Sequence, residues 1–218
     1  MDILLFFFLG ASLASFIGVV VERFPEKSLI TPASHCQACG TTLPTWDLIP
    51  ILSFLINRGR CRFCQVKLSI WYLLIECFLG IVSVGYYHHI LSGQICMTIL
   101  LSVLLSLYDL KSLGFPILAW LLPTLGLFFF APLSPIFLIL CLLGILAEMT
   151  DIKIGSGDFF YLASLSLGLS LTALLWVIEL GALAGILSYL LKLKRCKHIP
   201  LVPFLFLGYL LVIFFKLT

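Results

Sequence analysis

The chain has 218 residues, of which 62% are hydrophobic and only 11% charged, and its formal charge is +3. A soluble domain carries about 25% charged residues, so the composition excludes one and points to an all-α, polytopic membrane protein. The small positive balance follows from membrane topology and calls for no nucleic-acid partner.

A membrane helix needs about 20 mostly apolar residues. Runs of this kind predict eight spans, at 3–21, 68–91, 94–109, 115–131, 133–149, 159–176, 177–192 and 199–217. The first has Met1-Asp2 where a signal peptide would carry basic residues, and its Arg23 follows the apolar run, so it reads as a retained helix. Pro116, Pro123, Pro132 and Pro135 punctuate the fourth and fifth spans. Between the sixth and seventh the only breaks are Glu179 and Gly181, and without them the count would be seven. The expected organisation is a first helix at 1–21, a polar loop at 22–67 and a helix bundle at 68–218.

Basic residues set an orientation. They cluster at 22–70 (Arg23, Lys27, Arg58, Arg60, Arg62, Lys67) and at 192–197 (Lys192, Lys194, Arg195, Lys197), with Lys111 and Lys153 in short connections between. Eight spans put all four places on one side, which the positive-inside rule makes cytoplasmic, with both termini outside.

The polar loop carries "CQAC" (Cys36, Cys39) and "CRFC" (Cys61, Cys64), with 21 residues between the pairs. Two such knuckles suit a tetrahedral Cys₄ zinc site, and four thiolates leave no open position for water, so its role would be structural. Disulfides or free thiols are the alternatives; cytoplasmic placement argues against the former. Cys77, Cys96 and Cys141 lie in apolar runs and read as small core residues.

Two carboxylates stand at helix mouths, Asp109 in "SLYDLKSLGFP" and Asp158 in "GSGDFFYLA". Acids beside membrane helices are costly unless they face protein or water, and by default they raise a functional hypothesis. If the two met around one water, their pKa values would separate, one activating the water and the other polarising a peptide carbonyl. That is aspartyl proteolysis. Gly155 and Gly157 would allow unusual backbone angles and the close approach of an extended substrate. Simple capping competes for Asp158, but not for Asp109, because a carboxylate opposes the dipole at its own helix C-terminus. Glu76, Glu148, Asp151 and Glu179 read as solvated or paired; Glu76, Glu148 or Asp151 could also attract a basic substrate segment.

In this order the motifs resemble the type IV prepilin peptidases, polytopic aspartyl proteases of the bacterial inner membrane. "ASFIGVVVERFP" at 14–25, "SHCQACG", "DLIPILSFLINRGRCRFC", "WYLLIEC", the spacing from Asp109 to Pro116, "GSGD" and "IPLVPFLFLG" at 199–208 carry the likeness over nearly the whole chain. The resemblance implies that Asp109 and Asp158 are the catalytic pair and that Cys36, Cys39, Cys61 and Cys64 form the family's tetracysteine site. It implies prepilin or pseudopilin substrates whose basic leaders are cut on the cytoplasmic side. It also implies N-methylation from S-adenosylmethionine, for which the residues show no nucleotide motif and no binding site is assigned. The short length looks like the competence-type members of Gram-positive bacteria. Departures are Gly18 for an asparagine, Phe115 for an isoleucine, Ile117 for an acid and Phe160 for a lysine. Rival readings are a peptidase without methyltransferase activity, an ion-coupled transporter using the aspartates as a relay, and a zinc-held scaffold.

Overall fold

The structure, a computed structural model, describes residues 1–150, 155–191 and 199–217. Asp151, Lys153, Cys196 and the basic cluster at 192–197 lie outside the described residues. Two compact units divide the chain, Met1–Ser92 and Gly93–Thr218.

The first unit pairs helix α1 (Asp2–Arg23) with α3 (Ile70–Tyr87). Small residues let the two helices approach closely, as in membrane packing generally. A Cβ at Gly10 would collide with the Leu79 carbonyl oxygen, and one at Gly80 would meet the Phe7 ring at 2.7 Å. Between them runs the cysteine loop, with a 3₁₀ turn at Thr45–Leu48 and the short helix α2 (Leu52–Ile56). Arg23 ends α1 and is buried; its guanidinium donates to the Pro32 carbonyl at 2.7 Å, tying the start of the loop to the helix. At the far end Glu76 Oε2 accepts from the Ile51 N–H at 2.7 Å.

The second unit contains α4 (Gly93–Ser112), α5 (Ile117–Leu127), α6 (Pro135–Met149), α7 (Ser156–Ser166), α8 (Leu171–Leu191) and α9 (Val202–Leu217). Helix α4 is its centre: it packs on α5, α7 and α9, and more than half of its apolar length is buried. Helices α6 and α7 form one closely packed pair, α8 and α9 another. The second pair is again made by glycine: a Cβ at Gly208 would lie 2.7 Å from the Val177 carbonyl oxygen, and one at Gly181 would lie 2.9 Å from the Leu205 Cα.

Apolar sequence leaves buried polar groups no water, so they must pair with one another. Trp120 Nε1 on α5 donates to the Phe160 carbonyl and to Ser164 Oγ on α7, both at 2.8 Å, and Thr124 Oγ1 lies 3.0 Å from the same hydroxyl. Tyr161 on α7 donates to Ser102 Oγ on α4 at 2.9 Å. Together these bonds fix the lengthwise position of α7 between α4 and α5.

The fold is all-α and multi-pass, as the sequence predicts, and each predicted span contains a helix among the described residues, two of these helices only 11 residues long. Four are long and apolar enough to cross a bilayer by themselves: α1, α3, α4 and α8. One predicted boundary is wrong. The chain breaks at 167–170 rather than near 176, and Glu179 and Gly181 lie inside α8. Gly168 and Ser170 make the break, with Ser170 Oγ accepting from the Ala173 N–H at 3.3 Å, an ordinary N-cap bond.

Candidate functional site

The four loop sulfurs of Cys36, Cys39, Cys61 and Cys64 all lie within 4.8 Å of one another. Two thiolates on one tetrahedral zinc, each about 2.3 Å from the ion, are about 3.8 Å apart. Cys36 Sγ and Cys64 Sγ are 3.8 Å apart. The backbone repeats itself to make this possible. His35 bridges Thr42 around the first knuckle, and Arg60 bridges Lys67 around the second. Cys36 N–H donates to Thr41 O at 3.0 Å, as Cys61 N–H does to Val66 O at 2.9 Å. The residue after each knuckle, Gly40 or Gln65, has a positive φ, 72° and 59°. Hydrogen bonds from the Thr41 hydroxyl and N–H favour the Cys39 thiolate and hold its pKa at about 6, well below the usual thiol range. The Cys64 and Phe63 N–H groups likewise lower Cys61. Burial and the neighbouring sulfurs push Cys64 the other way, up to about 11, so the backbone meets the need for deprotonated sulfur only at Cys39 and Cys61; the four-sulfur donor set fits zinc.

In the second unit, Asp109 and Asp158 line one open cavity of about 1600 Å³, together with Phe115, Glu148, Gly155, Ser156, Gly157 and residues of α8 and α9. The two carboxyls are near enough for the charge of Asp109 to act on Asp158.

Asp109 stands in the last turn of α4 and is 7% exposed. Its Oδ2 accepts from the Val202 N–H, the first residue of α9, at 3.0 Å. The expectation that capping could not explain Asp109 considered only its own helix. In the fold it meets the positive end of another, which offsets the unfavourable end of α4. Val202→Pro would remove this donor with little harm to the helix, because proline is well tolerated at a first helical position. If the bond holds Asp109 in a working geometry, V202P should lower turnover roughly 10- to 100-fold at unchanged protein level, measured in a membrane cleavage assay.

Asp158 is the third residue of α7, not its N-cap; Gly155 takes that place, with no side-chain bond. A carboxylate in a first turn suits the dipole. The two glycines do not use angles closed to other residues. Gly155 has a φ of −62°, and Gly157 is helical with no positive φ. Space is what they supply. A Cβ at Gly155 would lie 3.3 Å from Asp158 Oδ2, and one at Gly157 would lie 3.0 Å from the Phe115 ring.

Glu148, at the end of α6, accepts from the Ser156 hydroxyl at 2.6 Å. The cavity wall therefore carries three carboxylates, and no Lys or Arg among its described residues. Its three acids were all candidates in the sequence, but the Val202 backbone donor was not. Phe160, where the resembling family has lysine, packs tilted on Trp120 with centroids 4.9 Å apart and lies against Gly144. Phe115 covers Gly157. These two departures thus fill space around α7.

Residues 8–90 match the family model described as the bacterial peptidase A24 N-terminal domain. The chain is 28% identical to the prepilin leader peptidase/N-methyltransferase of Bacillus subtilis (strain 168), over 94% of its own length and 91% of the relative's. Against the protein of the same name from Neisseria gonorrhoeae it is 27% identical, over 89% and 84%. A namesake from Myxococcus xanthus is 42% identical, but the match covers 35% of this chain and 23% of that protein. No solved structure matches the chain.

Proposed function

We infer, from the premise that this chain is a relative of the type IV prepilin peptidases, that it is a membrane aspartyl endopeptidase cutting the leader from prepilin-like precursors. The observation that supports the reading is that Asp109 and Asp158 line the same cavity of a helical unit.

Two neighbouring carboxyls cannot both ionise easily, and the proposed mechanism uses the pair with one proton between them. The ionised member takes a proton from water as its oxygen attacks the scissile carbonyl carbon. The protonated member donates to the carbonyl oxygen, and a tetrahedral diol forms. Collapse breaks the C–N bond as the amine nitrogen takes up a proton from the dyad, and the carboxyls exchange roles. The macroscopic pKa values belong to the pair. Gly155 and Gly157 keep the approach free of side chains. The orientation argued from basic residues places this mouth on the cytoplasmic side.

Cys36, Cys39, Cys61 and Cys64 would hold a structural zinc in the first unit. The relatives' names also carry N-methylation, which would draw on S-adenosylmethionine; we propose that activity from the names alone and assign it no residues.

The test is the purified chain in lipid vesicles with a prepilin, followed by gel shift. A shortened product with a new N-terminus at the leader boundary supports the reading. Uncut precursors from several pilus and competence systems would return weight to the relay and scaffold alternatives. An acidic cavity should favour a basic leader. Glu148→Gln is therefore expected to raise KM several-fold for a lysine-bearing leader and to leave a neutral leader unaffected. Equal effects on both leaders would assign Glu148 to holding Ser156 instead.

A further inference from the structure

The segment Thr45–Ile56 is built inside out. Asp47 points inward, its side chain 5% exposed and paired with Arg62 at 2.9 Å, and Asn57 Nδ2 donates to it at 3.0 Å. Trp46, Leu48, Ile49, Leu52, Leu55 and Ile56 point outward, with exposures running from 40% at Leu52 to 70% at Ile56. They come from two short helical pieces, Thr45–Leu48 and Leu52–Ile56, joined by an extended Ile49 and by Ile51 at a φ of 64°. In water this arrangement is doubly unfavourable, because large apolar groups stay hydrated while a carboxylate is withdrawn. A contiguous apolar face of this kind marks a contact surface.

Two observations identify what covers it. Arg58 and Arg60 follow the apolar face in sequence, Lys67 bridges Arg60, and all three are exposed, so the surface offers apolar and cationic groups together. The loop is also covalently tied at both ends to candidate membrane spans, α1 and α3. The first residues of α3, Ile70, Trp71 and Tyr72, are themselves exposed, in the amphipathic pattern typical of a membrane border. A bilayer interface with anionic headgroups lies within reach of the tether and matches both chemistries.

We propose that Thr45–Ile56 lies in the headgroup–acyl boundary of an anionic bilayer, with Trp46, Ile49, Leu52 and Ile56 inserted and Arg58, Arg60 and Lys67 on lipid phosphates. The cysteine loop would then be a membrane-surface element rather than one standing free in solvent. This inference is independent of the peptidase reading.

The test uses the full chain in vesicles of phosphatidylcholine with and without phosphatidylglycerol. The Trp46 signal is the difference between wild type and Trp46→Phe, with bound zinc as the check that both variants are folded. Lipids brominated at shallow acyl positions should remove most of that signal, while aqueous acrylamide quenches it little. Reversing Arg58, Arg60 and Lys67 to glutamate should reduce the lipid quenching in the anionic vesicles and leave it nearly unchanged in the neutral ones. Free access of acrylamide to Trp46 would overturn the proposal. So would protection from both quenchers, which would show the face covered by protein, a second copy of the chain included. An unchanged result from the charge-reversed variant in anionic vesicles would overturn the headgroup assignment.

Discussion

Asp109→Asn and Asp158→Asn are each expected to leave a co-expressed prepilin uncut at wild-type levels of membrane protein. The substitution is chosen for what it preserves. Asparagine keeps a carbonyl oxygen that can accept from the Val202 N–H, so the bond between α4 and α9 survives in D109N. It is also tolerated in a first helical turn, so α7 should still start at Ser156 in D158N. What it removes is a group able to exchange a proton with water, and general acid–base catalysis alone contributes about 10²- to 10⁴-fold. A loss of at least that size, measured by gel shift with folding checked by thermal melting, supports the dyad. Cleavage near the wild-type rate in either variant would make that aspartate structural, and for Asp109 the role would be holding α9.

The second large effect concerns the cysteines. The full chain purified without chelator is expected to carry one zinc, and Cys36→Ser or Cys61→Ser to lose it. These two sulfurs are the buried pair, so each substitution withdraws a ligand from the inner side of the cluster. The loop has two short knuckles and few buried residues, and metal binding in such small sites is worth about 10–16 kcal/mol in isolated peptides. Its loss should open the loop at 36–64 to proteolysis while the second unit stays resistant. Metal analysis and limited digestion read the two effects separately. A cysteine set that resists alkylation until reduced, with no zinc, would replace the metal reading with disulfides.

The all-α class and the cysteine cluster were legible in the sequence because they are written in composition and in short motifs. Among the described residues the long apolar helices follow from hydropathy, and the two knuckles lie where the Cys-x-x-Cys spacing puts them. The missed break at 167–170 has a local reason. Gly168 and Ser170 are weak signals beside a charged Glu179, and charge dominates a hydropathy reading, yet a single glutamate does not interrupt a helix as a glycine followed by a capping serine does. The bond from Val202 to Asp109 spans 93 residues and uses a backbone donor, which no side-chain motif encodes. The glycines of "GSGD" were found by motif, and of the two properties expected of them the unusual backbone angles are absent. Their need for space appears only once the Asp158 carboxyl and the Phe115 ring are seen beside them.

The tie between α4 and α9 also bears on when the molecule becomes able to act. During synthesis Asp109 is made well before Val202, and at about 5–20 residues per second the delay across their 93-residue separation is roughly 5–20 s. Through that interval the aspartate has neither its backbone donor nor the cavity wall that α9 completes. A chain stalled before α9 would hold both carboxylates and still lack their setting. On the proposed reading, an incomplete chain would therefore lack activity until α9, a helix bearing no acid of its own, is made.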